Sequence, residues 1–212
     1  WGNLLSGVEL SRKADGREVF AMTAPLVINK STGRKFGKSE GGAVWLDETK
    51  TSPYKFYQFW LNPDDAGAID YLKLFTMLSK EEIEDIERQH LEAPHLRIAQ
   101  KTLAREVTSL IHGADRVSSI EKVNSVLFGG VLASELSAEE LEILAEEIPS
   151  VKTGTDVISA LTETNLAKSA GEVKRLIASN AISVNGEKIT ENIEISQVSL
   201  IKKGKNNFVL VR

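Results

Sequence analysis

The apolar spacing of this chain changes period once along its length, and that change decides what it can fold into. From Tyr54 to about Leu144 the apolar residues recur at helical intervals. Past Asn180 they alternate instead, with Ile182 and Val184 separated by a polar residue. Helical spacing makes stripes that pack on other helices, whereas alternation makes a half-buried strand. A chain of 212 residues carrying both in succession reads as a multidomain α and α+β protein.

The helical stretch is punctuated by its own signals. Tyr54-Lys55-Phe56-Tyr57-Gln58-Phe59-Trp60 is aromatic nearly all round, so its rings belong in a core and not on stacked bases. Asn62-Pro63 predicts an N-cap followed by proline at the first helical position, with the helix running to about Leu78. Ser79-Lys80-Glu81-Glu82 is a capping box opening a helix with Ile83 and Ile86 inward. Ala99, Leu103, Val107, Leu110 and Ile111 form a stripe that stops at Gly113. His112 is then a cation at a helix C-terminus. Ile120, Val123 and Leu127 mark another helix, and Ser137 to Glu140 a second capping box. Glu139-Glu140 and Glu146-Glu147 read as a solvated helix face.

Pro149 and the run to Thr155 predict a linker. Two short helices follow, the second capped by Ser169 with Glu172 three residues on. Asn185-Gly186 is the strongest short hairpin signal in the chain. Val198 and Leu200, then Phe208 to Val211, supply strands around the Lys203-to-Asn207 turn. At the other end, residues 1–47 mix short apolar stretches (Val19 to Met22, Pro25 to Ile28) with a glycine- and lysine-containing loop from Gly33 to Gly42. That reads as the end of an α/β unit. The expected division is therefore 1–47, 48–149 and 150–212.

The absence of cysteine excludes disulfides and thiolate metal sites, and no metal site is expected. No apolar run approaches the length of a membrane span, and the start lacks a basic n-region and an apolar h-region, so a cytoplasmic protein without a membrane partner is expected. A start without methionine and in mid-pattern leads to the expectation of a fragment. The net charge of −4 hides an asymmetry. Residues 1–62 carry 9 Lys/Arg against 6 Asp/Glu, residues 63–149 carry 8 against 18, and residues 150–212 carry 9 against 6. An acidic middle between two basic ends leaves both ends open to anionic partners.

Lys35-Phe36-Gly37-Lys38-Ser39 can bring two point charges onto a polyphosphate as negative charge builds in a transition state, although on the short pattern alone a solvated surface loop is the better account. The surrounding residues make that reading specific. Trp1-Gly2-Asn3, the loop itself, Gly41-Gly42-Ala43-Val44-Trp45-Leu46-Asp47 and Lys50-Thr51-Ser52-Pro53 through Asn62 resemble the tyrosyl-tRNA synthetase family. The likeness continues through Leu91-Glu92-Ala93-Pro94 and Ala99-Gln100-Lys101-Thr102-Leu103-Ala104 into the tail.

The resemblance implies the carboxy-terminal portion of a class I synthetase of the bacterial type, which activates tyrosine with ATP and transfers it to tRNA(Tyr). Residues 1–47 would be the end of a Rossmann-like catalytic domain and 48–149 a helical anticodon-binding domain. Lys38, assisted by Lys35, would bind ATP and stabilise the leaving pyrophosphate in this chain's form of the KMSKS loop. Ser39 keeps a hydroxyl where threonine is frequent. Leu26 and Val27 align near the adenine, although a buried strand explains them equally. ATP enters as a substrate with Mg, and no bound cofactor is implied. Asp64 aligns with an aspartate that recognises the anticodon guanine, where dipole stabilisation of a helix start is the simpler account.

The tail resembles the RNA-binding domain shared with ribosomal protein S-four, through Ser169-Ala170-Gly171-Glu172-Val173-Lys174-Arg175-Leu176-Ile177 and Ser179 to Gly186. Lys168, Lys174 and Arg175 would face phosphates, while Ala170 stands where a basic residue is frequent; without the likeness a solvated basic helix face explains them equally. The family's HxGH motif is absent: His90, His95 and His112 sit in no such pattern. The tyrosine pocket is therefore expected outside this chain, which alone should be inactive, and a homodimer is implied for the parent. A non-catalytic RNA-binding accessory protein explains the tail but not Lys35 to Asn62. A helical interaction module does not explain the basic hairpin tail. The sister tryptophanyl family normally lacks that tail.

Overall fold

The computed structural model describes residues 1–24, 26–28, 33, 35 and 44–212. The chain divides into two compact units, Trp1–Ala43 and Val44–Arg212. In the first, α1 (Gly2–Asp15) ends on Gly16, which takes the left-handed conformation at φ 62°. None of its described residues is buried. The stretch Val19 to Met22 forms no strand, and Phe20 and Met22 stand open. Ile28 pairs with Lys35 in a single antiparallel bridge. The expected α/β unit is thus reduced, among the described residues, to one helix and one bridge, because a strand without neighbours has nothing to bury its side chains against.

The second unit opens with helices α2 (Pro53–Leu61), α3 (Asp65–Phe75), α4 (Lys80–Glu92), α5 (Ile98–His112), α6 (Ala114–Phe128) and α7 (Ala138–Glu147). Tyr54, Phe56, Tyr57 and Trp60 of α2 are buried, as their density predicts. The Tyr57 hydroxyl donates to Glu121 at 3.3 Å and that of Tyr54 to Asn124 at 3.5 Å, which satisfies two polar tips in an aromatic core. Both capping boxes form, at Ser79 with Glu82 and at Ser137 with Glu140. Ile83 is buried and Ile86 half-buried.

Five expectations fail locally. The helix start expected at Asn62-Pro63 lies two residues later, because Asp64, not Asn62, supplies the cap. That helix also ends at Phe75, where the Thr76 hydroxyl turns back onto the Leu72 carbonyl at 2.7 Å. On α5 the stripe is buried through Val107, but Leu110 and Ile111 are exposed, since no neighbour covers the last turn. His112 packs edge-on against Phe56 with centroids 4.9 Å apart. Burial lowers its pKa, with Arg116 adding to the shift and Glu48 opposing it. Ring packing and burial thus disfavour the charged form expected at this helix end. Finally, Glu140 and Glu147 are not on a solvated face. Lys122 reaches Glu140 at 2.8 Å and the Ser52 hydroxyl donates to Glu147 at 2.5 Å, so both carboxylates sit between helices with donors of their own.

The expected linker is also partly strand. β1 (Ser150–Val151) runs parallel to β7 (Asn207–Val211), and β2 (Thr155–Asp156) pairs with β5 (Glu194–Ile195). Helices α8 (Val157–Glu163) and α9 (Ala170–Ala178) precede β3 (Ile182–Val184), β4 (Glu187–Lys188) and β6 (Ser199–Lys203). The larger sheet has the order β1-β7-β6-β3-β4. Asn185 and Gly186 both take positive φ, 50° and 87°, as a two-residue hairpin turn requires. Val157, Leu161, Val173 and Ile177 from the helices meet Ile182, Ile201, Val209 and Val211 from the strands in one core. Among the described residues no helix is long and apolar enough to cross a membrane.

Candidate nucleic-acid interface

Helix α9 is built to present charge on one side. Val173 and Ile177, four residues apart, lie on the core side and are buried. Lys174 and Arg175 are therefore carried outward, and both are exposed. Among the described residues neither has an ion-pair partner, so each is available to an anion without breaking a contact.

The start of α9 is fastened. Ser169 accepts from the Glu172 amide at 3.3 Å, and Glu172 accepts from the Lys168 amide at 2.9 Å. The Lys203 ammonium bridges Glu172 at 2.9 Å and the Leu166 carbonyl at 2.5 Å. These donors, the Lys168 amide first, hold the Glu172 carboxyl below its ordinary range. Lys168 is thus anchored through its backbone while its side chain is exposed. The structure puts Lys174 and Arg175 on one helix and Lys168 next to its N-cap, Ser169.

A second group surrounds Asp64, the N-cap of α3. Its Oδ1 accepts from the Gly67 amide at 2.7 Å, and its neighbour Asp65 accepts from Gln100 Nε2 at 2.5 Å. His90 Nε2 lies 3.8 Å from the same Asp65 oxygen. Arg97 donates to the Leu61 carbonyl at 2.7 Å, just before the loop that carries Asp64. The sequence reading passed over Arg97 and Gln100. The signal for Gln100 is a polar side chain in a helical apolar stripe; nothing local marks Arg97.

In the first unit, Ile28, which follows Leu26 and Val27 in the chain, pairs with Lys35 in the antiparallel bridge. Lys35 is exposed, Leu26 is 65% exposed and Val27 half-buried. The buried-strand account of Leu26 fails in this structure. Lys38 and Ser39 lie outside the described residues.

Residues 1–129 match the family of class I tRNA synthetases for tryptophan and tyrosine. The chain belongs to this family. Its tail, residues 140–212, matches the C-terminal domain of tyrosine–tRNA ligases, which places this synthetase on the tyrosyl side. The tyrosine–tRNA ligase of Macrococcus caseolyticus is 43% identical over 222 residues, covering 100% of this chain and 52% of that protein. Tyrosine–tRNA ligase 1 of Bacillus cereus is 44% identical over 224 residues, covering 100% and 53%. The chain spans about half the length of the curated relatives it matches. A C-terminally truncated mitochondrial tyrosyl-tRNA synthetase of Coccidioides posadasii is 30% identical, with a TM-score of 0.45 over 57% of this chain and 36% of that one.

Proposed function

We propose that this chain is the part of a tyrosine–tRNA ligase that carries the ATP loop and the tRNA-binding surfaces. In the reaction a tyrosine carboxylate oxygen attacks the α-phosphorus of ATP, and the bond to the bridging oxygen breaks to release pyrophosphate. A ribose hydroxyl of the terminal adenosine of tRNA(Tyr) then attacks the tyrosyl carbonyl, and AMP leaves. Charge builds on pyrophosphate in the first step, and Lys38 with Lys35 supplies the opposing charge. Ser39, Leu26 and Val27 complete the ATP contacts, and Mg arrives as part of the ATP complex. Residues 1–47 serve ATP as the end of a Rossmann-like domain, 48–149 read the anticodon through Asp64, and 150–212 hold the RNA backbone. The parent acts in the cytoplasm as a homodimer.

The observation that carries this reading is the continuity of the likeness: 43–44% identity to tyrosine–tRNA ligases over all of this chain. A protein that had borrowed only the tail would match only there. The exposed basic side of α9 supports the RNA half of the reading. Replacing Lys174 and Arg175 by alanine should weaken tRNA(Tyr) binding at moderate salt. It should also flatten log K against log salt by about one unit for each lost phosphate contact, and by a similar amount for other tRNAs. Fluorescence anisotropy with labelled tRNA measures both. Unchanged affinity with parallel slopes removes these residues from the interface.

A further inference from the structure

We propose that Arg97, the N-cap of α5, and Gln100, on its first turn, are positioning residues that clamp the loop carrying Asp64 and so set its preference for the anticodon guanine. This rests on the reading of Asp64 given above. The loop between α2 and α3 is three residues long, Asn62 to Asp64. Arg97 closes its front: the guanidinium takes the Leu61 carbonyl at 2.7 Å, one of the acceptors that the end of a helix leaves unpaired. Gln100 closes its rear through Asp65 at 2.5 Å. Both clamping residues come from one helical turn, so the two loop ends are fixed relative to each other.

Each clamping residue carries a cost that its contact accounts for. Gln100 is fully buried, and among the described residues its Oε1 has no hydrogen-bond partner. A buried amide left half-satisfied is destabilising, and an apolar residue of similar size would avoid that. What the amide adds is a hydrogen bond to Asp65, whose side chain is 65% exposed and otherwise has only His90 Nε2 near it, at 3.8 Å. Arg97 sits at φ 54° and ψ 40°, a left-handed conformation that is unfavourable for a residue with a Cβ. From that conformation its side chain spans back to Leu61.

A carboxylate that reads guanine must meet two donors, the N1–H and the exocyclic amine, at hydrogen-bond distance. Geometry of that kind tolerates only about half an ångström of error and depends on supporting contacts. Asp64 already gives Oδ1 to the Gly67 amide, so its carboxylate cannot pivot without losing the cap. The loop backbone then sets where the carboxylate lies, and Arg97 and Gln100 set the loop.

The test measures binding of the 212-residue chain to tRNA(Tyr) transcripts carrying guanine, inosine or adenine at the anticodon guanine position. Wild type should prefer guanine over adenine by about tenfold or more, with inosine between. Gln100→Leu and Arg97→Gln should each shrink that preference to about threefold or less, while affinity for the adenine transcript and the salt slope stay as in wild type. A merely structural role would weaken all three transcripts together, and that outcome overturns the clamp. Circular-dichroism melting reports whether each variant folds; if Gln100→Leu does not, Arg97→Gln decides. Asp64→Asn keeps a helix cap but loses the second acceptor. If it abolishes the preference while the α5 variants retain it, the clamp alone fails. If Asp64→Asn leaves the preference intact, the reading of Asp64 fails and the clamp with it.

Discussion

A methyl group added at Gly67 would lie 2.9 Å from Asp64 Oδ1 and 3.1 Å from the Tyr71 ring. Tyr71 is buried and cannot withdraw, and Asp64 can withdraw only by giving up its cap. Alanine ordinarily improves a helix by about 1 kcal/mol over glycine; here the overlap, of a kind that costs about 1–3 kcal/mol, outweighs that gain. Gly67→Ala should therefore lower stability by about 1 kcal/mol in urea denaturation. A variant as stable as wild type would show that Asp64 is free to move. At this scale the sequence was half legible. It identified an aspartate at the start of α3 but set the start at Asn62, because asparagine before proline is the stronger local pattern. Which of two neighbouring cap formers wins depends on the Gly67 amide, and no spacing records that. Glu147 shows the same limit: a run of acids reads as solvated until another helix brings Ser52 to it.

Helix α8 depends on one carboxylate. Asp156 accepts from the Ile158 and Ser159 amides at 3.0 and 3.1 Å, from the Ser159 hydroxyl at 2.7 Å and from Asn192 at 2.9 Å. The Ser159 hydroxyl bond is the largest influence; together with the Asn192 and amide bonds it outweighs burial and holds the carboxyl below its ordinary value of 3.8. A depressed folded-state value means that the charged form is the stabilising one. Its contribution is complete above the ordinary value and is lost as pH falls through the lower folded value. Asp156→Ala should cost about 1 kcal/mol near neutral pH, and the gap between wild type and variant should close on acidification. Thermal melts of the two proteins between about pH 2 and pH 6 check this; a gap that stays constant would mean that the carboxyl acts by shape alone. Elements with local causes were readable in advance: both capping boxes, the Asn185-Gly186 turn and the Val173–Ile177 spacing. β1 was not. It is two residues long and its partner, Leu210, stands 60 positions away, so nothing near Ser150 announces a strand.

The sheet-bearing tail has a core drawn entirely from residues between Val157 and Val211. The helical part reaches it through the Phe128 and Phe208 rings, 5.6 Å apart and edge-on, through Arg212 with Glu142 at 2.7 Å, and where buried Leu200 faces Leu127 and Ala133. These contacts lie outside the core between α8, α9 and the sheet, and an exposed ion pair contributes at most about 1 kcal/mol. Residues 149–212 alone should therefore give a dispersed amide spectrum by NMR; a collapsed one would mean that the helices are needed for folding. The change of period that separates helical part from tail was visible in the sequence. The division of the described chain after Ala43 was not, because it depends on which residues touch and not on their order.

The parallel pairing of β1 with β7 has a consequence for biosynthesis. β7 lies between β1 and β6, so a central position in the sheet is filled by residues 207–211, made after every other strand. While the ribosome still holds that segment, β1 has no partner and β6 keeps one open edge. An open edge in a growing chain is a place for strands of other chains to attach. Order of synthesis thus makes β7 the strand on which completion of this sheet waits.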